Sequence, residues 1–176
     1  MTRSYAGIGA RATPRDIQNI MTAVARKLEA DDWLLRSGGA AGADQAFERG
    51  VTNPAAMQIF LPNERPFQGH IPGQRPHWIN YQSMPGAAQA MATVNQFHPT
   101  PQRLTDPYHR HLHARNAMQV LGPALNDPSK FIVAWTPGGQ IKGGTGQALR
   151  LAQAYGIPVR NLGNPQTLRN VLHWLG

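Results

Sequence analysis

Three glycine-rich stretches carry the residues best suited to chemistry in this sequence. They are Gly7-Ile8-Gly9-Ala10-Arg11, Ser37-Gly38-Gly39-Ala40-Ala41-Gly42-Ala43-Asp44, and Thr136 to Gln147, which contains Gly143-Gly144-Thr145-Gly146. Glycine lets a main chain approach an anion closely, and a helix that starts just beyond it offers unpaired N–H groups and the positive end of its dipole. The chemistry this suits is the holding of a phosphate. Groups able to move protons or attack are few. Asp16, Glu29, Asp31, Asp32 and Glu48 fall on segments of helical spacing, and Asp44 stands alone beside a turn, where an aspartate commonly caps its own loop. With no cysteine and no paired carboxylates, binding is favoured over turnover, and neither a cofactor nor a metal is expected.

Charge points the same way. The 176 residues hold 17 Lys+Arg against 9 Asp+Glu, a formal net charge of +8, and most of the cations are arginine. The planar guanidinium suits bidentate phosphate contacts, although a basic surface also serves solubility. Hydrophobic residues at 41% and charged residues at 15% describe one folded domain over 1–176, and exclude a disordered tail or a coiled coil. Met1-Thr2-Arg3-Ser4 leads straight into a strand, and the longest apolar runs, such as Phe131 to Trp135, are far too short to span a bilayer. The absence of cysteine suits a reducing cytoplasm, which is the expected location.

These turns must be positioned by something, and the hydrophobic pattern supplies it. Strand-like segments at Tyr5–Gly9, Trp33–Ser37, Met57–Leu61, Lys130–Trp135 and Ile157–Asn161 alternate with segments of helical period. One helix, opened by Thr13-Pro14 as cap and first residue, carries Ile17, Ile20, Met21, Val24 and Leu28 on one face. Others follow the second glycine turn, run from Tyr108 to Leu121, place Ala148, Leu151, Ala152 and Tyr155 together, and close the chain with Leu168, Val171, Leu172 and Leu175. The pattern predicts an α/β fold: a Rossmann-like open sheet of about five mainly parallel strands with helices on both faces. Residues 62–107, rich in Pro, Gly, His and Gln, read as an insertion or lid with one helix near Ala87–Phe97. In such a sheet ligands gather outside the carboxyl ends of the strands, where all three glycine turns fall.

Two common phosphate motifs are excluded. Gly7-x-Gly9 is followed by Ala12, and Arg36-Ser37 stand where a dinucleotide fold would place an acid, which disfavours NAD. No Gly-x-x-x-x-Gly-Lys-Ser/Thr occurs. His109 and His113 lie one helical turn apart, but no third metal ligand accompanies them. Arg115 and Asn116 on the same helix either reach the sheet edge to meet a phosphate or base, or make capping and interhelix contacts. Trp135 ends its strand beside the third glycine turn, where an indole stacks on a base or joins the core; Tyr5 and Trp33 read as core.

Taken together, Tyr5-Ala6-Gly7-Ile8-Gly9-Ala10-Arg11, Arg36 to Asp44, Leu112-His113-Ala114-Arg115-Asn116 and Gly143-Gly144-Thr145-Gly146 resemble the SLOG superfamily. This Rossmann-like group contains the DNA-processing protein DprA and the LOG phosphoribohydrolases, and the chain looks most like the small stand-alone DprA-like proteins of tailed phages. The resemblance implies a nucleotide, a nucleotide-derived signal or single-stranded DNA held over Ser37 to Gly42 and Gly143 to Gly146, with Asp44 ordering its turn. It implies a homo-oligomer, and it allows sequestration of a host immune signal. The glutamates of LOG enzymes are not matched, since Gly146-Gln147 stand in their place, so N-glycosidase activity ranks third. The expected ligand-binding residues are Gly7, Gly9, Arg11, Ser37, Gly38, Gly39, Ala40, Gly42, Asp44, Arg115, Asn116, Trp135, Thr136, Gly143, Gly144, Thr145 and Gly146.

Overall fold

The computed structural model describes residues 3–176; Met1 and Thr2 of the expected lead-in lie outside it. The strands are β1 (Ser4–Gly9), β2 (Leu34–Ser37), β3 (Met57–Leu61), β4 (Trp78–Asn80), β5 (Ile132–Trp135) and β6 (Val159–Asn161). The helices are α1 (Arg15–Ala30), α2 (Ala43–Gly50), α3 (Ala87–Phe97), α4 (Pro107–Leu121), α5 (Gly143–Ala154) and α6 (Pro165–Leu175). The strands form one sheet in the order β4-β3-β2-β1-β5-β6, and every pairing is parallel. The fold is therefore the expected Rossmann-like α/β sheet, with six strands rather than five.

The sixth strand is β4, which lies within residues 62–107. It pairs with β3 through Ile59↔Trp78, Phe60↔Ile79 and Leu61↔Asn80. Trp78 Nε1 also donates to Glu48 Oε2 at 3.2 Å, which ties this edge to α2. The segment before β4 is pinned by His70, whose Nε2 meets Glu48 Oε1 at 2.8 Å while Nδ1 faces the carbonyls of Phe67 and Gln68, each at 3.1 Å. Acceptors on both ring nitrogens require both to carry protons, and although burial opposes it, these bonds raise the His70 pKa. A second difference concerns the start of α1. Pro14 occupies the cap position without a side-chain bond, and Thr13 Oγ1 donates back to Ala10 O at 2.6 Å, so Thr13 closes the preceding turn instead of capping the helix.

Side chains alternate across the pleat and divide the core into two layers. Tyr5, Leu35, Ile59, Leu61 and Val133 pack with α1 and α2, covered by Leu168, Val171 and Leu175 of α6. Ala6, Ile8, Phe60, Ile132 and Ala134 pack with α3, α4 and α5. Each large side chain buried this way contributes roughly 1.5–3 kcal/mol relative to exposure. The order reverses direction between β1 and β5, which run in register from Ala6↔Ile132 to Gly9↔Trp135. The chain leaves these neighbouring strands toward opposite halves of the sheet, and this opens a crevice at their carboxyl ends. Among the described residues, no helix is long and apolar enough to cross a membrane.

Candidate functional site

A cavity of about 630 Å³ opens at that crevice, within the size range of small-ligand sites. Its wall contains Gly9, Arg11, Ala40, Asp44, Arg115, Asn116, Thr136, Gly143, Gly144 and Thr145 of the expected set. The structure does not bring Gly7, Ser37, Gly38, Gly39, Gly42, Trp135 or Gly146 to it. Gly7 lies beneath Phe47, whose Cγ would stand 2.5 Å from an added Cβ, so its smallness serves packing of α2 on β1. Ser37 Oγ donates to Gly7 O at 2.6 Å and links β2 to β1. Trp135 packs against the α1–α2 core, the second of its two expected roles.

The second glycine turn is closed rather than open. Ala40 N donates to Asp44 Oδ2 at 3.2 Å, and Ala41 N to Gln68 Oε1 at 2.6 Å, so these N–H groups are spent within the protein. Gly42 adopts φ +88 with the Arg11 carbonyl 2.5 Å from where a Cβ would stand, and the turn seats itself against the first one. Arg115 is turned inward. Its Nη1 donates to Gly38 O at 2.6 Å and Phe60 O at 3.0 Å, and its Nε to Asn116 Oδ1 at 3.1 Å. It braces the glycine turn against β3, and only its flank reaches the cavity.

Asp44 is buried, and desolvation pushes its carboxyl up to about 6, against the opposing pull of Arg115 and the Ala40 N–H. The unfolded chain binds its proton less tightly than the folded one, so the stability contributed is fully present below the ordinary aspartate range and is lost as pH rises toward about 6. A shift from 3.8 to about 6 corresponds to on the order of 3 kcal/mol. The variant Asp44→Asn is therefore expected to lose this part of the pH dependence. Urea unfolding between about pH 4 and pH 7 measures it, and equal slopes for both proteins would show that Asp44 ionises as freely as in the open chain.

The third turn is different. Helix α5 begins at Gly143 with Lys142 at the cap position, no side-chain cap bond and no acid in its first turn. The first N–H engaged is that of Gly146, donated to Lys142 O at 3.0 Å, and those of Gly143, Gly144 and Thr145 have no partner among the described residues. Asn116 Nδ2 donates to Gly144 O at 3.2 Å and holds this end of the helix to α4. Arg11 and Lys142 line the cavity with their side chains exposed.

Sequence reasoning missed several wall residues. Ile8, Leu104, Leu112 and Ala148 supply an apolar surface. Gln119, 1% exposed, also lines the cavity. It lies one turn beyond Arg115 on the same stripe of α4, a spacing that could have marked it. His109 and His113 both line the cavity, and no group of three His, Cys, Asp or Glu gathers to hold a metal among the described residues.

Neither a protein-family model nor a curated protein sequence matches the chain. Among solved structures it is similar to DNA processing protein A from Helicobacter pylori, a structure described for its single-stranded DNA binding mode. The two align with a TM-score of 0.56 at 18% identity, over 91% of this chain and 65% of that one. The chain thus spans just under two thirds of that structure, and at this identity the likeness shows a shared, DprA-like α/β fold.

Proposed function

We propose that the cavity at the β1–β5 crevice binds the phosphate of a nucleotide, either a free nucleotide or a nucleotide-derived signal. One observation carries the reading: the uncapped, acid-free start of α5 presents three unengaged N–H groups to a cavity lined by Arg11 and Lys142. Oriented amides at a helix N-terminus favour a phosphate without needing a fixed countercharge. Gly9, Ala40, Asn116 and Thr136 complete the wall, and Asp44 and Arg115 hold it in shape. The apolar surface of Ile8, Leu112 and Ala148 suits the uncharged part of such a ligand. Capture without turnover fits a wall whose one carboxylate is engaged by a backbone N–H. A cytoplasmic homo-oligomer that withholds a signal nucleotide belongs to the same reading.

A second reading is single-stranded DNA binding, favoured by the fold shared with a DNA-binding protein and by the net charge of +8. Calorimetric titration with nucleoside monophosphates and with a thymidine oligonucleotide, from about 50 to about 200 mM salt, separates the two. A site for one phosphate should lose only about threefold in affinity, whereas a surface tracking several phosphates loses about a thousandfold or more. Failure of both ligands to bind at low salt would overturn the phosphate reading itself.

A further inference from the structure

Three elements bring together a group of basic side chains with no acid among them. His98 follows α3, Arg110 and His113 lie on α4, and Arg150 lies on α5. The rings of His98 and His113 meet edge to face with centroids 5.0 Å apart. His113 Nδ1 and Arg150 Nε are buried without a hydrogen-bond partner. The partners these side chains do have are neutral. Arg150 Nη2 donates to Gln147 Oε1 at 3.0 Å, His98 Nδ1 accepts from Thr100 N at 3.1 Å, and Arg110 donates to the carbonyls of Pro101 and Leu104 and to the Asn95 side chain.

The charged groups acting on His113 are His98, Arg150, His109 and Arg115; those acting on His98 are Arg150 and Arg110. Every one is basic. Burial first, and then these neighbours, lower both histidines, His113 to about 4. Basic groups packed together without a counterion resist protonation until something anionic relieves them. The cluster also adjoins the phosphate site. His113 lines the cavity, and Arg150 Nη1 would lie 3.4 Å from a Cβ on Gly146, so its guanidinium leans back toward the first turns of α5.

We infer that His98, His113 and Arg150 form a second anion subsite, continuous with the cavity through His113, that receives a second phosphate of the ligand, His113 taking up a proton as it does so. The inference rests on the first phosphate lying at the start of α5, and it names the ligand class: a nucleotide carrying two neighbouring phosphates. A free dinucleotide-like molecule and a stretch of strand share that chemistry, and the salt titration above distinguishes them.

The test uses thymidine dinucleotide and trinucleotide without terminal phosphates, because their one and two phosphodiesters do not titrate near neutrality. Asp44 protonates in the same range but acts on both ligands, so the ratio of the two affinities isolates the second subsite. That ratio is expected to rise about tenfold between about pH 7.5 and pH 5.5, since a nearby anion raises a histidine pKa by about 1–3. In R150Q, a change outside the cavity wall, the trinucleotide should lose its advantage over the dinucleotide while the dinucleotide still binds. Calorimetry of the unaltered protein in buffers of different ionisation enthalpy gives an independent check: the trinucleotide should take up more protons than the dinucleotide. A ratio independent of pH, or equal proton uptake, would overturn the second subsite while leaving the first intact. No binding of either oligonucleotide at either pH would overturn the second subsite, and the phosphate reading would fall with it only if nucleoside monophosphates also failed to bind.

Discussion

Arg36→Ala is expected to destabilise the protein by about 3–5 kcal/mol, the usual cost of removing one partner from a buried ion pair. Arg36 sits in β2 with 1% exposure, and each nitrogen of its guanidinium is engaged. Nε donates to Gln58 Oε1 at 3.1 Å, Nη1 to Asp127 O at 2.6 Å and, more weakly, to Ser129 Oγ at 3.4 Å, and Nη2 to Asp127 Oδ2 at 2.9 Å. One side chain thereby ties β2 and β3 to the loop that feeds β5. Burial pulls the guanidinium pKa down and Asp127 holds it up, so the cation persists through its partners. In a chain of this size the loss should lower the melting temperature by on the order of 10 °C. Removing Asp127 as well should cost clearly less than the sum of the two single changes, which a double-mutant cycle reads directly. A single-variant cost below about 1 kcal/mol would show that the network contributes little more than a surface pair.

Gly144→Asp should act on stability and binding in opposite directions. Gly144 lies in the first turn of α5, and a Cβ built there meets nothing within 4 Å. Replacing a helical glycine removes an entropic cost, and a carboxylate near a helix N-terminus is favourable, so the fold should gain about 1 kcal/mol. The same carboxylate would occupy the field that we assign to phosphate. Like charges brought together in a binding site cost several kcal/mol, which corresponds to a loss of affinity of at least about a hundredfold. Thermal unfolding and nucleotide titration of one preparation measure both. Unchanged affinity in a stabilised variant would place the phosphate away from α5. Lost affinity in a destabilised one would point to misfolding of the helix start.

Strands that lie deep in the sheet could be read directly. Met57–Leu61 falls at its expected bounds, and β1, β2 and β5 within a residue or two, because each is an apolar run ended by turn residues. β4 gave no such signal. Trp78-Ile79-Asn80 is three residues long, follows Pro76-His77, and becomes a strand through pairing with β3 and the bond from Trp78 to Glu48. The site was legible to a similar depth. Glycine spacing located all three turns at one sheet edge, but could not tell a turn whose N–H groups stay unengaged from one that receives another turn. Whether an N–H is free depends on distant groups: Gln68 for Ala41, and Asp44, four residues on, for Ala40. Arg115 was correctly placed on α4, while the direction of its guanidinium was fixed by carbonyls at Gly38 and Phe60, far away in the chain.

The pairing of β1 with β5 also bears on how the molecule is made. β1 takes a central place, and its neighbour β5 follows it in the chain only after β2, β3, β4 and the helices up to α4. Until then β1 is an open edge whose unsatisfied amides and carbonyls can recruit another nascent chain. The cavity cannot exist before that joining, because Gly9 and Arg11 belong to β1 and the turn after it, while Gly143 to Thr145 follow β5. The cavity therefore forms only once β1 and β5 have paired, and folding that delays this pairing leaves the β1 edge exposed to association with other chains.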